Sequence, residues 1–311
     1  MESKVLGIHH ITAIAGYAKR NYDFYTRVLG LRFIKKTVNF DDPKTYHLYF
    51  GDEVGSPGTI LTFFPWEGVA RGKQGAGMPT EIGYTVPEGS MEFWEERFKG
   101  YYVRVTGSGV RFGEKYLTFE DPDGLPISLI TPKFSDPRKP WQTGEVGADV
   151  AIRGFHSITL TLNKVKETAD VLTGIFDYEF VGQEGNRFRY RTKNVDTANI
   201  VDLIVEPAAI RTGNGGGIIH HVAFRVKDET VLMEFREKVL AKGLNITPKK
   251  DRNYFLSLYF REPGGVLFEI ATDTPGFSID EEVINLGEKL MLPSQFETHR
   301  KEIEAALPEL V

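Results

Sequence analysis

The sequence predicts an α+β fold in which four strand-helix-strand-strand-strand modules, arranged in two halves, form open-barrel cradles of mixed sheet. The first observation behind this is a repeated module start: Gly7–Thr12 reads GIHHIT, Gly154–Thr159 reads GFHSIT and Gly217–Val222 reads GIIHHV. The second is a repeated module end, a turn followed by an apolar run, in EDPDGLPISL at Glu120–Leu129 and REPGGVLFEI at Arg261–Ile270. The third is a change of period inside each module, from alternating apolar residues to a helical stretch and back to strand-like runs.

Taken in order, module one spans about 5–66, with an alternating strand from Gly7, a helix over Lys19–Leu29 stopped by Gly30, and further strands behind it. Module two spans 80–132 and its helix stops at Lys99-Gly100; module three spans 152–206; module four spans 216–272, with a helix over Glu229–Lys242 stopped by Gly243. The modules group into an N-terminal domain, 1–134, and a C-terminal domain, 153–274. Pro137 and Pro140 break regular structure in the linker between them, 135–152. A charged tail with a helical pattern, 275–311, follows, punctuated by Pro293 and Pro308. The run Gly213–Gly217 lacks the Lys-Ser/Thr of a phosphate-binding loop and reads as a flexible entry to module four.

Composition narrows the function. With 41% hydrophobic and 26% charged residues over 311 positions, the chain is neither disordered nor a membrane protein. A net charge of -5 gives no reason to expect nucleic acid or an anionic membrane as partner. Cysteine is absent, so disulfides, thiolate metal sites and cysteine nucleophiles are excluded, and histidine and carboxylates remain as the strong metal ligands. The start, MESKVLGIHH, has no apolar segment resembling a secretory signal, and a cytoplasmic location is expected.

The fourfold module resembles the vicinal oxygen chelate superfamily, the glyoxalase and extradiol dioxygenase fold. Within it, HHIT at 9–12, TVNFDDP at 37–43, TYHLYFGDEVGSPGT at 45–59, EGNRFRYR at 184–191, IIHHVAF at 218–224 and PGGVLFE at 263–269 are similar to ring-cleaving dioxygenases of hydroquinones. The resemblance covers nearly the whole chain. It implies a non-haem iron enzyme of extradiol type that inserts O2 into a hydroquinone or catechol-type ring, with a role in aromatic catabolism or quinone detoxification.

Side chains alternate across a strand, so each His-His pair is expected to send one member to each face. His220 lines up with Val222, Phe224 and Val226, an apolar series, whereas His221 lines up with Ala223 and Arg225. His156 likewise shares its face with Ile158, Leu160 and Leu162. Aligned copies put His9, His156 and His220 at a back-face position under a helix, and His10, Ser157 and His221 at an inner position. A strand histidine is by default a satisfied core imidazole, and that reading holds for the back-face three. For His10 and His221 the recurring inner position favours ligation. The third ligand is Glu269, a charge inside the apolar run Val266–Ala271 that needs a cation, a proton or a hydrogen-bond partner. A glutamate at the strand edge, or one paired with an arginine, is the alternative.

Two histidines and a carboxylate with open positions make the facial triad of non-haem Fe(II) oxygenases; Mn(II) or another divalent ion is the alternative occupant. A triad drawn from modules one and four requires those modules to share a cradle, leaving two and three to form the other. That second cradle is expected to lack a metal, with Ser157 for the first histidine, Gly83 or a neighbour for the second, and Ser128 for Glu269. The fourth carboxylate ligand of glyoxalase-like relatives would fall at Thr62 or Phe63, and neither can supply it.

The resemblance implies further catalytic roles for Tyr259 and Arg252, and for His9 and His220, which alternation nevertheless places behind the strands. A cross-strand aromatic and a surface cation are the bland alternatives for Tyr259 and Arg252. His47 has no repeat partner and receives no role; His299 reads as a solvated helix residue. The implied partners are a small aromatic substrate and O2, with no nucleic acid and no membrane. Homo-oligomerisation stays open, because modules one and four can pair within one chain or between two. A glyoxalase-type lyase or isomerase and a non-catalytic aromatic-ligand binder of the same fold are the competing functions.

Overall fold

A computed structural model describes residues 4–310; residues 1–3, where the first domain and the expected leader-free start begin, and residue 311, the end of the tail, lie outside the described residues. Four βαβββ modules follow one another. Module one is β1 (Ile8–Ala15), α1 (Ala18–Asp23), β2 (Arg32–Asn39), β3 (Asp42–Gly51) and β4 (Ile60–Pro65). Module two is β5 (Met78–Thr85), α2 (Met91–Gly100), β6 (Val105–Arg111), β7 (Glu114–Glu120) and β8 (Pro126–Thr131). Module three is β9 (Gly154–Leu162), α3 (Lys166–Gly174), β10 (Glu179–Glu184), β11 (Arg187–Arg191) and β12 (Ile200–Val205). Module four is β13 (Ile219–Val226), α4 (Glu229–Ala241), β14 (Lys250–Asp251), β15 (Phe255–Arg261) and β16 (Leu267–Pro275). Among the described residues, no helix is long and apolar enough to cross a membrane.

Local chemistry explains the helix ends. The Ala18 amide at the start of α1 donates to Glu67 Oε1 (2.8 Å), and Asp228 caps α4 by accepting from the Val231 amide (3.1 Å). Helix α1 widens into a π-helical turn over Phe24–Val28, where the Leu29 amide reaches back to the Phe24 carbonyl. Gly30 and Gly243 then take the left-handed conformation that ends their helices. After α2 it is Tyr102, not Gly100, that adopts positive φ.

The strands form two eight-stranded sheets. One runs β14-β15-β16-β13-β1-β4-β3-β2 and joins modules four and one; the other runs β10-β11-β12-β9-β5-β8-β7-β6 and joins modules three and two. The cross-module seams are antiparallel, β1 with β13 and β5 with β9. Modules one and four therefore share a cradle within one chain, as a triad drawn from both requires.

One face of each sheet packs beneath helices. Ile8, Ile11, Val222, Phe224 and Phe268 are buried in the main core, with Phe176 stacked on Phe268 at 6.0 Å and tilted on Phe224 at 4.6 Å. Burying each such side chain contributes roughly 1.5–3 kcal/mol, so the helical layer fixes which face of every strand is left for the cradle. Between β8 and β9 the chain has no regular element. It is held by the Trp94 indole N–H donating to the Val150 carbonyl (3.0 Å) and by Arg138, which bonds Asp136, Gly58 and Phe155. Among the described residues beyond β16, only Arg300–Ala306 (α5) is α-helical. The segment docks on module four through Phe277, stacked on Tyr254 (4.9 Å), and on module one through the contact of Phe277 with Tyr49 (5.2 Å) and through the fully buried Lys35, which pairs with Asp280 and Glu281 at 2.6 and 2.5 Å.

Candidate metal centre

The four central strands β15, β16, β13 and β1 bring the site together. In register, His10 lies opposite Ala223, Thr12 opposite His221, Ala223 beside Glu269, and Glu269 opposite Tyr259. Cross-strand partners share a face, so His10, Thr12, His221, Glu269 and Tyr259 all project into the cradle. The ligand atoms of His10, His221 and Glu269 lie within 4.8 Å of one another, and all three residues are buried. His10 Nε2 is 3.1 Å and His221 Nε2 2.9 Å from Glu269 Oε2. Ser257 Oγ donates to Glu269 Oε1. Among the described residues, Oε2 has no hydroxyl or backbone donor.

His9 and His220 do not lie under a helix, and this corrects the alternation argument. The β1–β13 register slips twice: His9 is the extra residue between Ile8 and His10, and His220 the extra residue between Ile219 and His221. A β-bulge sets two residues of one strand against one of its partner and re-aims a side chain. Each bulge turns its histidine to the side of its neighbour. His9 Nδ1 then meets His10 Nδ1 at 2.9 Å, and His220 Nδ1 meets His221 Nδ1 at 2.8 Å. His156 is the extra residue of the corresponding β9 bulge, and its Nδ1 contacts Ser157 Oγ (3.1 Å) rather than a helix.

The pairs set tautomers. His9 Nε2 can only donate to the Thr272 carbonyl (3.0 Å). Burial foremost, and then the neighbouring His10, hold the His9 pKa well below the usual value, so its ring is neutral and Nδ1 accepts. The His10 Nδ1–H therefore donates to His9, and His10 Nε2 is aimed at Glu269. Burial also lowers the His221 pKa, opposed by Glu269. Burial alone would raise the Glu269 pKa, but His10 and His221 outweigh it and hold the carboxyl well below its ordinary range. Two imidazole Nε2 atoms and a buried carboxylate oxygen converge on one point, and that convergence needs a positive charge there. The donor set, N, N and O, fits a divalent transition metal.

A cavity of about 270 Å³ opens above the three ligand residues. Phe40, Phe64, Trp66, Phe255 and Leu267 give it apolar walls, and Thr12, His47, Tyr49, His220, Arg252 and Tyr259 give it polar ones. Arg252 Nε donates to the Tyr259 hydroxyl (3.2 Å), and its guanidinium lies 5.3 Å from the Tyr259 ring centre. Burial pushes the Tyr259 pKa up, so the phenol keeps its proton. Burial also pushes the His220 pKa down, to about 3, and that ring too is neutral. At the position expected for a fourth carboxylate ligand, Thr62 Oγ1 bonds Thr12 Oγ1 (2.8 Å) and His47 Nε2 (2.9 Å); Phe63 is buried in the core. His299, the remaining histidine, bonds Thr298 in the tail.

The second cradle has the same register but different chemistry. Ser157 stands opposite Gly83 and Thr159 opposite Glu81, so Glu81, not Gly83, holds the place of His221, while Ser128 beside Gly83 holds that of Glu269. Arg189 binds Asp202 (2.8 Å) and Glu114 (2.6 Å), Arg187 binds Asp202 (3.1 Å), and Arg111 binds Glu81 (2.5 Å). Burial would raise the Glu114 pKa, but His156 and Arg189 bring it down to about 2. These ion pairs leave a space of about 10 Å³. A larger cavity, about 540 Å³, lies beside this cradle between residues 132–137 and 191–200, with Glu114 and His156 in its wall.

Sequence reasoning missed Ser257, Thr12 and the bulges. Ser257 had a signal: it stands two residues before Tyr259, on the same strand face. Among known proteins, a family model described as the glyoxalase/bleomycin resistance protein/dioxygenase superfamily matches residues 7–129 and 80–270. A Bacillus subtilis (strain 168) protein named as a candidate ring-cleaving dioxygenase, MhqO, is 48% identical over 99% of this chain and 97% of its own. The chlorohydroquinone/hydroquinone 1,2-dioxygenase of Sphingobium indicum is 37% identical over 97% of this chain and 96% of its own. A crystal structure of a candidate dioxygenase from Bacillus subtilis superposes with a TM-score of 0.95 at 47% identity, covering 100% of this chain and 99% of that one.

Proposed function

Because the chain belongs to the glyoxalase/bleomycin resistance protein/dioxygenase superfamily, we propose that it is a ring-cleaving dioxygenase of extradiol type acting on a hydroquinone or related diphenol. Its Fe(II), or Mn(II) or another divalent ion, would be held by His10, His221 and Glu269. The observation that carries this reading is the buried convergence of two imidazole nitrogens and one carboxylate oxygen within 4.8 Å, at the floor of a cavity walled by aromatic rings. Three ligands and no fourth leave the centre open. When bound, such a metal supplies adjacent coordination positions for a substrate oxygen and for dioxygen.

The chain's own groups do the rest. Tyr259, opposite Glu269 and protonated because it is buried, donates a hydrogen bond to a substrate oxygen at the centre. Arg252 holds that phenol in place and supplies a fixed positive charge beside the negative charge that develops on substrate. His220, neutral and with its Nδ1 accepting from the His221 Nδ1–H, presents its Nε2–H at the cavity edge and can donate a hydrogen bond to a substrate oxygen; His9 holds His10 in its ligating tautomer. Phe40, Phe64, Trp66 and Leu267 exclude water and give the ring its apolar surroundings.

The test is oxygen consumption by protein reconstituted anaerobically with Fe(II), given a panel of hydroquinones and catechols. Stoichiometric uptake with loss of aromatic absorbance is expected, and the product spectrum locates the broken bond. Iron bound at one per chain with no uptake from any diphenol would defeat the proposal and favour a lyase or a binding protein.

A further inference from the structure

His47 lies in the cavity without any part in the metal centre. Its ring is sandwiched between Tyr49 (centroids 4.2 Å apart) and Phe64 (4.4 Å). Both ring nitrogens are used: Nδ1 meets the Tyr49 hydroxyl at 2.9 Å and Nε2 meets Thr62 Oγ1 at 2.9 Å, which in turn meets Thr12 Oγ1 at 2.8 Å. The result is a hydrogen-bonded chain, Tyr49–His47–Thr62–Thr12. It runs along the module-one wall and ends at Thr12, directly across from His221. Its two ends, Tyr49 and Thr12, both border the cavity, as does His47 itself. Arg252 and Tyr259 line the cavity too, from module four, with β16, β13, β1 and β4 standing between β15 and β3 in the sheet.

Burial keeps His47 neutral and Tyr49 protonated. A neutral imidazole has one donor and one acceptor, so the chain points one way at a time. Whichever way it points, one end offers the cavity a free O–H and the other a free lone pair. A ligand edge of pure hydrocarbon against these ends would leave them desolvated and unpaired, and sites built in that way reject analogues lacking the matching polar group.

We propose that the His47 chain recognises a second oxygen on the substrate ring, across the ring from the oxygen at the metal centre, and so makes the cavity selective for a para-diphenol over a monophenol. The proposal rests on the function above only for where the first oxygen sits. His47 is thereby a specificity-determining residue that acts through the hydroxyls it orients.

His47→Phe keeps the aromatic stack with Tyr49 and Phe64 and removes both nitrogens. The measurement is the dissociation constant of hydroquinone and of phenol, taken anaerobically by calorimetry on Mn(II)-loaded protein, with metal content checked in each sample. Wild type is expected to prefer hydroquinone by about tenfold or more. The variant should lose that preference to within about twofold, through weaker hydroquinone binding with phenol binding unchanged. Thr62→Val, which breaks the chain and leaves His47 in place, should do the same, and it carries the test if His47→Phe does not fold. A preference that survives in both variants, or a parallel loss of both ligands, overturns the proposal. If hydroquinone drives oxygen uptake while the variants keep the preference, this inference fails and the ring-cleaving function stands. If the preference behaves as expected but no oxygen is taken up, the function fails and the recognition of a para-diphenol stands.

Discussion

Ser257→Ala tests whether the carboxylate of the metal centre is oriented by the strand beside it. Ser257 and Glu269 are both fully buried, and the serine hydroxyl is the donor that Oε1 receives from the protein. The other oxygen, Oε2, is the one turned toward His10 and His221. A hydrogen bond to a buried charge contributes about 1.5–3 kcal/mol, so without it the carboxylate can rotate and its two oxygens lose their distinct places. Groups that orient a metal ligand in this way typically change affinity about 10- to 100-fold, or about 1.4–2.7 kcal/mol. The expected result is therefore a 10- to 100-fold weaker affinity for Mn(II) or Fe(II), measured anaerobically against a chromophoric chelator. Denaturant unfolding of the metal-free protein should show a loss of about 1–3 kcal/mol, because Oε1 is left unpaired. A folded variant whose metal affinity stays within about threefold of wild type refutes the reasoning.

Other expected outcomes follow from the same geometry. Tyr259→Phe keeps the ring beside His221 but removes the hydroxyl held by Arg252; kcat/KM should fall by about 100-fold or more with metal content unchanged, and steady-state oxygen uptake measures it. His9, His47 and His220 all have pKa values held below the usual histidine value, chiefly by burial. They stay neutral in the fold while the unfolded chain gains protons near pH 6.5. Stability of the metal-free protein is therefore full above that pH and should decline on acidification, by roughly 1–2 kcal/mol per histidine between pH 7 and pH 5; unfolding titrations that show no decline would contradict this. Lys35→Met should cost about 3–5 kcal/mol, because Glu281 stays buried without its cation. Urea unfolding measures that loss, and limited proteolysis should cut first in the segment after Pro275.

The modules were legible because each repeats a periodicity that only a strand-helix-strand-strand-strand order satisfies, and because module starts and ends share their turn chemistry. The joining of modules one and four was legible for a different reason: ligands from both need one metal. The face of each histidine was only half legible. Val222, Phe224 and Val226 lie on the core face, as a period of two requires, whereas Ile8 and Ile11, three residues apart, share that face only because the bulge at His9 lies between them. His9 and His220 break that period, since a bulge depends on how β1 pairs with β13 and leaves no mark in either strand alone. In the second cradle the counterpart of His221, expected at Gly83 or a neighbour, is Glu81, two residues before Gly83. His47 was silent because its bond to Thr62 depends on how β3 packs against β4, and Ser257 gave only the indirect signal of sharing a strand face with Tyr259.

Comparison of the two cradles shows why a single backbone gathers a metal-ligand set in one cradle and an ion-pair network in the other. Both have a double bulge, a seam of antiparallel strands and a partner strand carrying the third position. In the second cradle three arginines, Arg111, Arg187 and Arg189, reach in from β6 and β11 and match Glu81, Glu114 and Asp202 charge for charge. Arg187 and Arg189 stand where module one has His47 and Tyr49, the residues that register against Thr37 and Thr62. Neutral hydroxyls and a neutral imidazole at those places leave Glu269 without an arginine, so its charge must be balanced at the two Nε2 atoms. The chemistry of the first cradle thus depends on what module one withholds as much as on the ligands it supplies. A cation brought in at Tyr49 by Tyr49→Arg would compete with the metal for Glu269. Such a variant should bind Mn(II) at least about tenfold more weakly while its stability at neutral pH holds; undiminished affinity in a folded Tyr49→Arg protein would show that the arginines of the second cradle are not what keeps a metal out.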